Sequence, residues 1–190
     1  GHVELRPNAA AVAATFCAAC LGVLAVSWVP TSWLAVVMPV MLVVLAVYFA
    51  LSPRLSNEDA KPRMSPARFA GTAAPAIGFY DGVFGPGAGS FYLLGFVVLR
   101  GYGIIKATAH TKLLNFTSNV ASLLVFAASG QVVWLVGIVM GVGQFLGAQV
   151  GSRLAIRNGA RLIRPLLVII CCAMAIRLLM NPQNPLWAWL

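Results

Sequence analysis

Residues 80–92 read "YDGVFGPGAGSFY". Within an otherwise apolar run this stretch sets an acid, Asp81, a proline and four glycines, Gly82, Gly85, Gly87 and Gly89. The run around it, Phe69 to Leu99, is 31 residues long. As one α-helix it would extend about 46 Å, well beyond a hydrocarbon core of about 30 Å. Broken at "GPGAG", it yields two arms, Thr72 to Phe84 of about 20 Å and Ser90 to Leu99 of about 15 Å, each reaching about the midplane of a bilayer. The pattern predicts a re-entrant hairpin; a single long, kinked helix is the other reading of the same residues.

The rest of the chain is of the same kind. Of its 190 residues 61% are hydrophobic and 9% charged, against about 25% charged in soluble domains. Apolar segments run from Pro7 to Ser27, Ser32 to Leu51, Ile104 to Ala128, Val132 to Ile156 and Ile163 to Met180, lengths suited to bilayer crossing and too numerous for a signal peptide. The fold class expected is all-α, a polytopic membrane protein. The net charge of +9 sits in short clusters between apolar runs, which fits cytoplasmic anchoring and excludes a nucleic-acid-binding domain.

Charge placement supports the hairpin. Arg54, Lys61, Arg63 and Arg68 lie in the polar stretch 52–68, which carries three Pro and six charges and reads as a loop. Arg153, Arg157, Arg161 and Arg164 precede the last apolar segment. Both clusters belong on the cytoplasmic side. Three full crossings between them would separate them; a hairpin and two crossings keep them together, with Arg100 and Lys106, and put residue 1 inside and the tail outside.

A faint repeat is also present. "GHV" at residue 1 and "GQV" at 130 each precede two apolar segments, and "MPVMLVVLAV" at 38 parallels "RPLLVIICCA" at 164. The connection at 27–33 is uncharged while its counterpart at 153–164 holds four Arg, the charge bias of an inverted repeat. The organisation expected is therefore 1–51 as two helices of a first repeat, 52–68 as a cytoplasmic linker, 69–180 as a second repeat (hairpin 69–99, helices 104–128, 132–156 and 163–180) and 181–190 as a tail with interfacial Trp187 and Trp189. The first copy shows only two helices, so a hairpin and a helix are expected upstream; a six-segment protein completed by a partner is the alternative.

A helix beginning in mid-membrane leaves N–H groups unpaired and presents about half a positive charge, a ready anion site. Gly85, Gly87, Ala88 and Gly89 bring the backbone close to such a ligand, and Ser90, at the expected helix start, adds a hydroxyl or caps the helix. On the next segment Thr108, Thr111, Asn115, Ser118 and Ser122 form a polar stripe, with Lys112 and Asn119 adjoining. Asn115, Asn119 and Lys112 are candidate anion contacts. The hydroxyls also suit interhelical hydrogen bonds, and Lys112 also suits an interfacial lysine. His110 is an ordinary interfacial residue or a proton relay. Asp81 is the acid that lies outside the polar stretches holding Glu4, Glu58 and Asp59, so it needs a partner or a proton. It either accepts backbone N–H bonds at the break or couples protons to transport.

The stretches "GFYDGVFGPGAGSF", "ATAHTKLLNFTSNVASLLVF" and "GARLIRPLLVI" together resemble second-half motifs of the sulfite exporter TauE/SafE family, also called TSUP. The likeness is strong over about residues 70–180 and weak over 1–51. It implies a multi-pass carrier of the inner membrane for small sulfur-containing anions such as sulfite, thiosulfate or organosulfonates, with no enzymatic activity, cofactor or metal. It does not choose the substrate or the coupling ion, and homo-oligomerisation stays open. Two other functions compete. "CAAC" puts Cys17 and Cys20 at a redox-like spacing, as in a membrane thiol-disulfide protein, although no base lies near the pair and an apolar helix suits packing better. Cys171 and Cys172 are adjacent on a helix and diverge. A non-transporting assembly subunit is the other competitor. Gly137, Gly141, Gly143, Gly147 and Gly151 suit close helix packing, with Gln144 and Gln149 on the same segment.

Overall fold

The computed structural model describes residues 5–51, 58–158, 168–170, 172–177 and 180. Every described element is helical, as the apolar run lengths require. Two packing units result: Gly1–Val29 with Pro53–Gly130, and Pro30–Ser52 with Gln131–Leu190. Arg54, Arg161, Arg164, Cys171, Glu4 and the tail with Trp187 and Trp189 lie outside the described residues.

The first unit contains the opening motif. Helix α1 (Leu5–Val26) supplies Asn8–Val26, the one described helix long and apolar enough to cross a membrane. After the linker come α3 (Pro66–Gly71), α4 (Ala73–Val83) and α5 (Ala88–Leu94). A π-helical turn over Gly95–Leu99 follows α5, and α6 runs from Ile104 to Ala128. The second unit holds α2 (Thr31–Leu51), with Pro39 inside it, and α7 (Trp134–Asn158). Along α7 the apolar residues are exposed, and a Cβ on Gly137, Gly141, Gly143 or Gly147 would meet no described atom within 4 Å.

Two boundaries differ from the sequence expectation. The loop read as 52–68 ends early, because Ser65 caps α3 by accepting the Arg68 N–H at 3.3 Å and Pro66 occupies the first turn, where its missing N–H costs nothing. The break in the long apolar run falls at Phe84–Gly87 rather than through Gly89. Gly85 (φ 79°) and Gly87 (φ 84°) take left-handed backbone that only glycine adopts without strain. Ala88 and Gly89 then follow in regular helix.

What holds the first unit together is a seam of small residues between α1 and α4. Ala11, Thr15, Ala19 and Gly22 on α1 face Ala74, Gly78 and Gly82 on α4, spaced at three or four residues on each helix. A Cβ on Gly22 would fall on the Phe79 carbonyl oxygen, and one on Gly82 on that of Ala19. One on Gly78 would lie 2.9 Å from the Thr15 carbonyl oxygen. Backbones this close gain dispersion contact along their length, the packing that serves where lipid is as apolar as leucine. At Ala11 and Ala74 the seam joins a hydrophobic cluster with Phe69, Tyr92, Phe96, Ala107 and Leu114, the Phe69 and Phe96 rings lying 4.7 Å apart.

The linker is clasped to the start of α6. Asp59 accepts the Gly103 N–H at 2.6 Å and pairs with Lys106 at 3.1 Å, placing a negative charge at the positive end of that helix. Backbone bonds Ala60 N to Gly101 O (2.7 Å) and Met64 N to Leu99 O (2.9 Å) continue the contact, and Arg100 donates to Met64 O at 2.6 Å. Gly101 (φ 65°) is required here, since a side chain would strike the Ala60 carbonyl. The Gly103 and Lys106 contacts hold the Asp59 carboxyl below its ordinary value.

A candidate site at the helix break

Tyr80 closes the break between α4 and α5. Its hydroxyl donates to the Pro86 carbonyl at 2.7 Å, and its ring packs edge-on against Phe91 at 5.2 Å and beside Phe84 at 5.5 Å. The two arms are thereby held together at the turn, with the α5 amides beginning at Ala88. Gly87 stands at the cap position and no side chain caps the helix. Ser90, expected to start or cap the helix, instead lies in its first turn, because the helix starts two residues earlier. Its amide donates to Gly87 O at 2.9 Å.

From across the unit, α6 brings Asn115 to this turn. A Cβ on Gly89 would sit 3.6 Å from Asn115 Oδ1, so the amide side chain lies directly over the glycine. Asn115 and the glycine-rich backbone thus come together. Lys112 and Asn119 do not join them: both are exposed, and the Asn119 amide donates to its own helix at Asn115 O, 2.7 Å away. Thr108 likewise bonds within its helix, to Ile104 O at 2.7 Å.

Asp81 has a side-chain partner on another helix. It accepts from Ser118 Oγ on α6, rather than from backbone amides at the break. Ser118 is wholly buried and also lies 3.2 Å from Leu114 O and 3.1 Å from Asn115 O. Two residues that the sequence pattern did not single out complete the surroundings. Tyr92 is fully buried, and its hydroxyl stands near Thr15 and Ser118 and within electrostatic reach of Asp81, yet bonds to none of them. Thr15, also fully buried, makes a long contact of 3.5 Å to Ala74 O. Lone hydroxyls in apolar helices usually bond their own backbone, so only the fold shows that these two converge. Thr111 Oγ1 is a further buried hydroxyl without a partner.

His110 is buried within the first unit. Its Nδ1 lies 2.8 Å from Lys106 O, which fixes a hydrogen on that nitrogen, and its ring packs against Phe96 and Tyr102 at 5.3 and 5.0 Å. Cys17 and Cys20 are free thiols, as is Cys172. Among the described residues no group of three or more His, Cys, Asp or Glu could hold a metal ion.

Helices throughout the described residues, one of them long and apolar enough to cross a membrane and another broken by glycines with buried polar groups beside the break, suit a membrane transporter. Its family follows from comparison: the profile of the sulfite exporter TauE/SafE family matches residues 1–178, and the chain belongs to that family. A probable membrane transporter protein, ORF9, of a Sinorhizobium species is 52% identical over 190 residues, all of this chain and 73% of the relative. The probable membrane transporter protein YfcA of Escherichia coli K12 is 47% identical over 182 residues, 96% of this chain and 68% of its own length. One from Haemophilus influenzae is 39% identical over 163 residues, covering 86% of this chain and 64% of that protein. No solved structure matches the chain.

Proposed function

We propose that the chain carries a small anion, of the sulfur-containing class to which sulfite, thiosulfate and organosulfonates belong, through a multi-pass position in the inner membrane. The anion is held at the break between α4 and α5. The observation that carries this reading is the approach of Asn115 to Gly89 beside the first turn of α5: a side-chain amide, with its oxygen nearest the glycine and its NH2 group as the donor, lies against a backbone free of Cβ where helix amides begin. Gly85, Gly87, Ala88 and Ser90 complete the surface, and Lys112 and Asn119 act from the exposed face of α6 as the anion approaches. The family's descriptive name, which speaks of sulfite, supports the anion class.

In this reading α3 to α5 and the π-helical turn form a hairpin that enters and leaves the membrane on the cytoplasmic side, within the second half of an inverted repeat. Asp81 couples protons to transport: a substrate anion near the carboxylate opposes its ionisation, so binding of one is linked to protonation of the other.

Sulfite flux into proteoliposomes tests both parts. Asn115→Ala is expected to raise the half-saturating sulfite concentration about tenfold, the loss of one hydrogen bond to a charged ligand. Asp81→Asn is expected to leave flux measurable and flatten its dependence on pH. Unchanged sulfite saturation in Asn115→Ala would remove the break as the site, and an unchanged pH profile in Asp81→Asn would remove the carboxyl from coupling.

A further inference from the structure

Ser118 has one hydrogen to donate and three acceptors around its oxygen: Asp81 Oδ2 on α4, and the carbonyls of Leu114 and Asn115 on its own helix at 3.2 and 3.1 Å. A hydroxyl that merely satisfies itself in a helix needs only one of the two carbonyls. The other acceptor is a half-buried acid from a neighbouring helix, and the serine between them is wholly buried.

The two charge states of Asp81 make opposite demands. An ionised carboxylate can only accept, and Ser118 donates to it. A protonated carboxyl brings its own hydrogen, which it must donate, and the Ser118 oxygen receives it while the serine hydrogen turns to Asn115 O or Leu114 O. The serine hydroxyl and the carboxyl oxygen facing it have a partner in both states, which lets a half-buried acid take up and release a proton without a large penalty in either. We propose that Ser118 is the positioning residue that lets Asp81 cycle between charged and neutral forms, its hydroxyl reversing direction as the proton comes and goes. No bond to the serine oxygen forms or breaks: the proton adds to or leaves Asp81, and the serine hydrogen moves by rotation about its C–O bond.

The far end of this reversal is at the candidate anion site. Asn115 O, one of the two carbonyls open to the serine hydrogen when Asp81 is neutral, belongs to the residue whose side chain covers Gly89, and it already accepts from Asn119. Tyr92 from α5 adds a buried hydroxyl with no partner of its own, available to the carboxylate in its charged form. Tyr80 on the same helix and Tyr92 are the titratable groups within electrostatic reach of Asp81. Among the described residues Asp81 makes no hydrogen bond or ion pair with Cys17 or Cys20 of α1, Arg68 of α3, or His110 and Lys112 of α6.

This rests on the reading of Asp81 as the proton-carrying group, and a measurement without substrate separates the two. The chain has four acidic side chains, so the carbonyl stretch of a protonated carboxyl can be followed by infrared difference spectroscopy of the full chain in lipid as pH is stepped. A band that titrates reversibly and is missing from Asp81→Asn identifies the acid. In Ser118→Ala the carboxylate loses its donor, and the band is expected to persist about one pH unit or more beyond wild type. Ser118→Cys, which keeps the size but donates weakly, is expected to fall between them. If no band titrates in wild type, Asp81 does not carry the proton and both readings fail. If the band titrates but neither serine variant moves it, the coupling reading stands and the role of Ser118 is overturned.

Discussion

Gly82→Ala is the most direct probe of what holds the first unit together. The added methyl lands on the Ala19 carbonyl oxygen and within 3.1 Å of the carbonyl carbon and of Gly22 Cα, where ordinary contact begins near 3.4 Å. Because every neighbour it meets is backbone, no side chain can swing aside, and α1 and α4 must part by about 1 Å. A gap of that size forfeits about a quarter to a half of each contact along the seam. Overpacking of this kind costs about 1–3 kcal/mol. Against it stands the gain from replacing glycine by alanine inside a helix, about 0.5–1 kcal/mol. The seam wins, and a net loss of about 1–2 kcal/mol is expected. For a chain of this length that lowers the melting temperature by about 3–6 °C, read by circular dichroism in detergent. Gly137→Ala in α7 is the control: among the described residues its Cβ meets no atom within 4 Å, and with helix propensity favouring alanine melting should hold or rise slightly. Gly82→Ala melting at or above wild type would refute the close approach of the two helices.

Tyr80→Phe removes the bond to Pro86 O while keeping both ring contacts, and is expected to cost about 1 kcal/mol and, if the break is the proposed anion site, to weaken sulfite binding with it, which melting and saturation curves on one preparation would show. Gly87→Ala forces a Cβ into left-handed backbone and should destabilise by about 1–2 kcal/mol in the same melts; tolerance would mean that the turn adopts another shape. The Asp59 clasp should depend on pH in one direction. Its carboxyl is held below the ordinary value of 3.8, so the contribution is complete above that value and is lost as pH falls through the lower folded value; Asp59→Asn should erase this acid-side loss in pH-dependent melting. Lys61→Cys on a cysteine-free background should be labelled by impermeant reagents only from the cytoplasmic side, and labelling from outside alone would sink the proposed hairpin topology.

Much of the fold was legible because helix breakers and apolar run lengths act locally. Gly85, Pro86 and Gly87 mark the break, and two of them do so through backbone angles closed to other residues. The start of α5 was displaced to Ser90 because Ala88 and Gly89 look like continuations of the loop, although nothing in either opposes a helix once Gly87 has turned the chain. Gly78 and Gly82 have the four-residue spacing of a packing face, yet their partners Thr15 and Ala19 lie some sixty residues earlier, and no local periodicity pairs them. The site divides in the same way. Asn115 and Asp81 stand out by polarity alone, whereas Tyr92 becomes notable only when its burial and unpaired hydroxyl are seen. Lys112 and Asn119 share the polar side of α6 by spacing, but a helical face is broad, and exposure sets them apart from Ser118.

The small-residue seam also has a temporal meaning. Helix α1 leaves the ribosome about fifty residues ahead of α4, and at about 5–20 residues per second several seconds pass before Gly78 and Gly82 exist to meet it. During that interval the face bearing Thr15, Ala19 and Gly22 is completed by lipid or by the insertion machinery, neither of which can follow a groove lined by bare backbone. Helix α1 is therefore made well before the face that completes it, and its safekeeping during synthesis falls to whatever guides membrane insertion.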